Sequence, residues 1–315
     1  MQIILIIIMY LNGINGALRM SAGFSMNSIK IFFSKIYALL GLLALTQVGV
    51  AYADAQKSNR VISAGGSITE IVYALGLYEQ LVAVDTSSLY PPQNADLPKI
   101  GYFRNLGTEG ILALSPDVFV AARGAGPTQV LDQLADFGVE VKQFEQSIYT
   151  MESWRKLVAD IGEFFGVEEQ ADSLIASVSV NIESISQAQA EREQPLNAIA
   201  LLNSGQRGNV AAGVETVPDL LFNLAGINNL AKGQTGFKPF SSEVLAGGKL
   251  DIVFVPEHTL ASMGGVEGVC AEQAIQIATD GECKVHVMDS LLLLGFGARV
   301  DQALQAVVEA ISTLP

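Results

Sequence analysis

Residues 60–76 read RVISAGGSITEIVYALG, and the fold is decided there. Val61-Ile62-Ser63-Ala64 is a short β-branched run, Gly65-Gly66-Ser67 turns the chain, and Ile68, Ile71, Val72 and Leu75 then recur at helical spacing until Gly76 stops them. Outward from this unit the rhythm repeats. Leu81–Val84 reads as the next strand, Asp117–Ala121 (DVFVA) as the third, Val130–Phe137 as a helix closed by Gly138, and Val139–Phe144 as a fourth strand. Strands alternating with helices imply a parallel sheet covered by helices on both faces.

From Met151 to Gln194 the strand signals vanish. Trp154, Leu157, Ile161, Phe164 and Phe165, then Ala171, Leu174, Ile175, Val178, Ile182 and Ile185, form an amphipathic pattern broken near Gly166, which predicts two helices with the second one long. After Pro195 the first rhythm returns: strands over Ala198–Leu202, Asp251–Val255 and Val285–Met288, with helices over Val217–Leu224 and Val300–Ile311. The predicted class is α/β, two Rossmann-like lobes joined by a long connecting helix with a ligand cleft between them. The expected boundaries are 54–150 for the first lobe, 151–194 for the connecting segment and 195–315 for the second lobe. A long connecting helix resists bending, so little hinge motion is expected.

The first 53 residues have a different character. They hold Arg19, Lys30 and Lys35, no acid, and two apolar runs, Ile3–Leu11 and Tyr37–Val50, the second followed by Ala51-Tyr52-Ala53. This is the layout of a secretory signal peptide cleaved near Ala53, with Met20 or Met26 as a more ordinary start, and it predicts export to the periplasm. A membrane anchor is the alternative reading. Removing the leader leaves 15 Lys+Arg against 32 Asp+Glu, or −17 over 262 residues.

Composition excludes several classes. Half the residues are apolar and 16% are charged, too apolar for a disordered chain. An excess of acid speaks against nucleic acid as a partner. Two His and two Cys give a bare zinc or manganese ion almost no ligands. Cys270 and Cys283 pair most simply as a disulfide in an oxidising compartment, with two free thiols as the alternative. No Ser stands in G-x-S-x-G, no phosphate-binding loop follows Gly65-Gly66-Ser67, and neither His has a triad partner, so no enzymatic activity is expected.

The order of parts RVISAGGSITEIVYALG, VAVDTSSLYPP and LPKIGYFRNLGTEGILALSPDVFVA resembles the first lobe of substrate-binding proteins that serve ATP-driven importers of haem, cobalamin, siderophores and some metals. The resemblance runs from Arg60 to Leu314, and it implies two α/β lobes joined by one long helix. DTSSLYPP, the stretch Gly236–Glu243 (GFKPFSSE) and Leu291–Arg299 (LLLLGFGAR) look most like the haem-binding branch. The implied function is a periplasmic protein that captures haem b, as transported ligand and not as a catalytic cofactor, and delivers it to an ABC permease dimer with its ATPase subunits. Haem would be handed over from an outer-membrane receptor system, and the protein would act as a monomer. Cobalamin or a ferric siderophore is the alternative ligand.

Haem needs an axial donor for iron, apolar walls and groups that meet two propionates. Tyr90 follows a predicted strand in a loop, where ligand sites of open α/β sheets lie, and a phenolate is a hard donor suited to ferric iron. By resemblance Tyr90 is the iron ligand; from spacing alone it packs a proline-rich turn. Tyr102 and Arg104 are implied to face the cleft, Arg104 as a propionate partner or as a surface residue. On the second lobe the candidates are Arg207, Lys238 and Arg299. Many haem-binding relatives carry a basic residue after Ala-Ala-Gly, where Val214 follows Ala211-Ala212-Gly213 here, and Arg207 stands as its substitute. His258, at a strand end, is the candidate second ligand, whereas His286 lies inside a strand pattern and packs. Glu109 and Glu215 match the two acids that dock this superfamily onto its permease, and each is also placed to favour a helix N-terminus.

Overall fold

The computed structural model describes residues 59–146, 149–189, 194–246 and 248–314, with Arg207 described by its backbone alone. The leader, its start at Met20 or Met26 and its cleavage near Ala53 lie outside the described residues.

In the first lobe β1 (Val61–Ala64) runs into α1 (Gly66–Ala74), β2 (Leu81–Val84), α2 (Thr108–Leu112), β3 (Val118–Ala122), α3 (Thr128–Asp136) and β4 (Glu140–Phe144). The four strands form one parallel sheet in the order β2-β1-β3-β4, with Val61 opposite Val118 and Ala64 opposite Ala121. All four residues of β1 and all five of β3 are buried. Such strands carry apolar side chains without alternation because helices cover both faces.

Thr150 then caps α4 (Met151–Phe165), exchanging hydrogen bonds with Ser153, and Gly166 in the left-handed conformation ends it. α5 (Glu168–Gln189) follows, 22 residues and therefore about 33 Å long. The second lobe contains β5 (Asn197–Asn203), β6 (Asn209–Ala212), α6 (Val217–Leu224), β7 (Asn228–Asn229), β8 (Phe237–Pro239), β9 (Ile252–Pro256), α7 (Glu257–Leu260), α8 (Gly265–Ala271), α9 (Gln273–Ala278), β10 (Val285–Met288), α10 (Ser290–Leu294) and α11 (Val300–Ser312).

Here the structure departs from the repeating rhythm. The second sheet is mixed, in the order β10-β9-β5-β6-β8: β10, β9 and β5 are parallel, whereas β6 and β8 add on antiparallel and β7 pairs with one end of β5. β6 returns directly from β5 by a tight turn, which an antiparallel pair allows and a parallel pair does not. Cys270 of α8 is joined to Cys283, just before β10, by a disulfide.

One continuous apolar core runs through both sheets. Ile68, Ile71 and Val72 of α1, Val120 of β3, Trp154 and Ile161 of α4, Phe222 of α6, Phe254 of β9 and Leu304 and Val307 of α11 belong to it. Smaller cores cover the far faces, around Phe119, Ile111 and Leu134 in the first lobe and around Ile199, Val253 and Ile275 in the second. Polar ties reinforce the join: Trp154 Nε1 donates to Gly297 O at 2.7 Å, Phe296 N to Ser67 Oγ at 2.8 Å, and Asn181 of α5 to Asp301 of α11 at 2.7 Å. Ser58–Pro315 is accordingly one unit.

Candidate functional site

The loop after β2 is built around Asp85, which is fully buried. Its Oδ1 accepts from Gly65 N at 2.9 Å and from Ser88 Oγ at 2.6 Å; its Oδ2 accepts from Ser87 N at 2.9 Å and from Ser87 Oγ at 2.6 Å. The network continues from Ser88 through Thr69 to Ser63, with O–O distances of 2.7 and 2.8 Å. A buried carboxylate persists when donors meet its lone pairs, and here they also fix the chain that leads to Tyr90. Beyond Tyr90, Asn94 donates to the Tyr90 carbonyl at 2.8 Å.

Held in this way, Tyr90 leaves 37% of its surface exposed, beside Leu89 at 63%. Its ring is covered on one face: the Arg299 guanidinium carbon lies 3.5 Å from the ring centroid. Arg299 comes from the segment between α10 and α11 and is itself fixed, its Nη2 lying 2.6 Å from Glu70 Oε1 and 3.9 Å from Asp289. Burial pushes the Glu70 carboxyl above the usual range, against the hydrogen bond and charge of Arg299, which pull it down. Gly66 is where three segments meet. A Cβ there would stand 2.7 Å from Ser87 O and 2.7 Å from Leu291 Cδ2, so only glycine lets the Tyr90 loop and α10 close on α1.

Tyr102 and Arg104 stand next to this loop. Thr86 N donates to Gly101 O at 2.9 Å, Tyr102 is 48% exposed, and Arg104 lies over the Phe103 ring at 4.7 Å. Tyr149, which precedes α4, packs edge-on against Phe296 at 5.1 Å; burial pushes its phenol up, and the Arg104 charge pulls it down.

On the second sheet, exposed His258 follows β9 and its Nδ1 lies 2.6 Å from Ser290 Oγ, the residue that opens α10. His286 packs edge-on against Phe254 at 5.5 Å. Lys238 is exposed on β8, at the opposite edge of the sheet from β10, while the backbone of Arg207 lies in the turn Gly205–Arg207 between β5 and β6. The structure thus joins Tyr90 to Arg299 and ties the segment that carries Tyr102 and Arg104 to the start of the Tyr90 loop through Thr86 and Gly101; the contacts of the described residues do not link Lys238 to that cluster. Glu109 is exposed in the first turn of α2. Glu215 is exposed immediately before Thr216, the cap of α6, at φ +60°, a conformation that costs a non-glycine residue about 1 kcal/mol.

Sequence reading missed Glu70 and Asp85. Each left a signal: Glu70 is the one charged residue in α1, and Asp85 precedes Thr86-Ser87-Ser88, whose hydroxyls and amides suit a carboxylate at a strand end. Among the described residues no group of three or more His, Cys, Asp or Glu is placed to hold a metal ion, and no helix is long and apolar enough to cross a membrane.

Tyr90 comes from the first lobe and the Arg299 over its ring from the second, and the two sheets share one apolar core. The chain belongs to the periplasmic binding protein family, whose model matches residues 61–276; its members are substrate-binding components of ABC importers. Among solved structures it is similar to the periplasmic heme-binding protein RhuT from Roseiflexus sp. RS-1 in apo form, with 32% identity, a TM-score of 0.74, and coverage of 80% of this chain and 97% of that one. It is also similar to HutB, the periplasmic heme-binding protein of Vibrio cholerae, with 31% identity, a TM-score of 0.72, and coverage of 82% and 100%. Among curated proteins a vitamin B12-binding protein of Vibrio campbellii is 24% identical over 244 residues, 76% of this chain and 86% of its own length. Another, from Yersinia pestis, is 38% identical over 106 residues, 34% of this chain and 38% of its own.

Proposed function

We propose that this protein is exported to the periplasm, captures haem between its lobes through Tyr90, and hands it to an ABC permease dimer. The observation that carries the reading is Tyr90 itself, an exposed phenol on an anchored loop with a guanidinium 3.5 Å from its ring. An iron-bound phenolate is anionic, and a cation over the ring offsets that charge. Leu89 and Tyr102 supply apolar surface next to it, and Arg104 supplies an exposed cation for a propionate. Arg207 and Lys238 are assigned to the second lobe's side of the ligand, and iron is five-coordinate, with His258 outside the ligand set. Haem-binding relatives at 31–32% identity, whose chains are covered almost completely, support haem over cobalamin. Glu109 and Glu215 dock the protein onto its permease, and the protein works as a monomer.

Titration of hemin into the purified exported protein is expected to give a 1:1 complex with the spectrum of ferric tyrosinate. Tyr90→Phe removes the one iron donor and is expected to weaken binding by about a hundredfold or more, at least the upper end of what the outer partners of a metal site contribute. The relatives named for vitamin B12 make cobalamin the second arm. No Soret change with hemin, together with quenching of Trp154 fluorescence by cobalamin, would replace haem with a corrin. For docking, Glu109→Ala combined with Glu215→Ala is expected to abolish uptake in cells while leaving hemin affinity unchanged; a parallel loss of affinity would move these acids into the ligand site.

A further inference from the structure

The Arg299 side chain is 11% exposed, its Nη2 is bonded to a Glu70 carboxylate that is 3% exposed, and its Nε is buried without a partner. Asp289 Oδ1 stands 3.9 Å from the same Nη2. With only 11% of its side chain exposed and its charge already offset by a buried carboxylate, the guanidinium leaves a haem propionate little to reach. What Arg299 does present to the loop is its guanidinium carbon, over the Tyr90 ring at 3.5 Å from the centroid. The Glu70 side is equally fixed, since α1 carries it inside the shared core and a Cβ on Gly297 would overlap its Oε2. Glu70 belongs to the first lobe, Arg299 lies 229 residues on in the second, and the ring they serve returns to the first.

We propose that Glu70 is the positioning residue for the ligand tyrosine: its carboxylate holds Arg299 over the Tyr90 ring, and Arg299 serves that ring instead of a propionate. This rests on Tyr90 being the ligand, and the test separates the two. Glu70→Leu, Arg299→Met and the double variant are compared with the wild type, the double variant removing both buried charges so that neither is left unpaired. In the ligand-free protein, the Tyr90 ring resonance, assigned by its loss in Tyr90→Phe, is expected to shift equally in all three variants. With hemin, all three are expected to lose about tenfold in affinity, the scale of a desolvated cation–ring contact, and to share one displaced iron–phenolate stretch in resonance Raman spectra. The loss is expected to be equal for hemin and for its dimethyl ester. A wild-type ring resonance in Glu70→Leu, additive losses in the double variant, or an Arg299→Met loss that disappears with the ester would each overturn the assignment. A wild type that binds no hemin overturns the haem reading instead, and the ring resonances still decide whether Glu70 places Arg299.

Discussion

Asp85 and Tyr90 divide the work of one loop. The carboxylate accepts four hydrogen bonds, from Gly65, Ser88 and twice from Ser87, in a place from which water is excluded. Tyr90 stands five residues on from that network, and its exposed edge is the part that the proposed function gives to the ligand. Asp85→Ala strips acceptors from four buried or half-buried donors, and leaving such groups unmet costs roughly 1–3 kcal/mol each before relaxation. The expected result is a loss of about 3 kcal/mol or more in stability by urea unfolding, with weaker hemin binding in the fraction that folds. An unchanged affinity in Asp85→Ala would mean that the proline-rich segment fixes Tyr90 by itself. Tyr90 is singled out only through the resemblance of DTSSLYPP, because a tyrosine before two prolines reads by itself as turn packing. The sequence does not announce the pair of Glu70 with Arg299, since nothing local joins residues 229 positions apart.

Elements were legible in proportion to how much of their own pattern they carry. β1 and β3 are buried on both faces and read as apolar runs, and α4 and α5 announce themselves by periodicity and by the break at Gly166. β6 and β8 were missed because Asn209–Ala212 is four residues long and Phe237–Pro239 is three and exposed, so their pairing is set by the neighbouring strand. β10 was legible, and its His286 carries a pH dependence. Burial against Phe254 lowers the imidazole from its ordinary value of 6.5, so the unfolded chain binds a proton more readily than the folded one. Stability from this residue is therefore complete above 6.5 and is lost as pH falls below it. Between about pH 7.5 and 5.5 the wild-type Tm is expected to drop more than that of His286→Phe, the difference giving the histidine's share. Equal slopes would place the ring in a solvated environment in solution.

At the scale of the whole molecule, the core that joins the two sheets governs both stability and motion. Ile68 on α1, Trp154 on α4, Phe254 on β9 and Leu304 on α11 belong to one apolar cluster, so the sheets are expected to melt together in a single calorimetric transition. Trp154→Phe takes away the donor that meets Gly297 O at 2.7 Å, and it is expected to lower stability by roughly 1–3 kcal/mol without splitting that transition. Two separate transitions would show the lobes to be independent. The same interior sets a gauge. Glu109 belongs to the first lobe and Glu215 to the second, and a core shared by both is expected to keep their spacing the same in the loaded and the empty protein. Under the proposed docking, a membrane partner that grips those two acids is then expected to meet the same footprint in either state, and to sense cargo through what fills the gap between them.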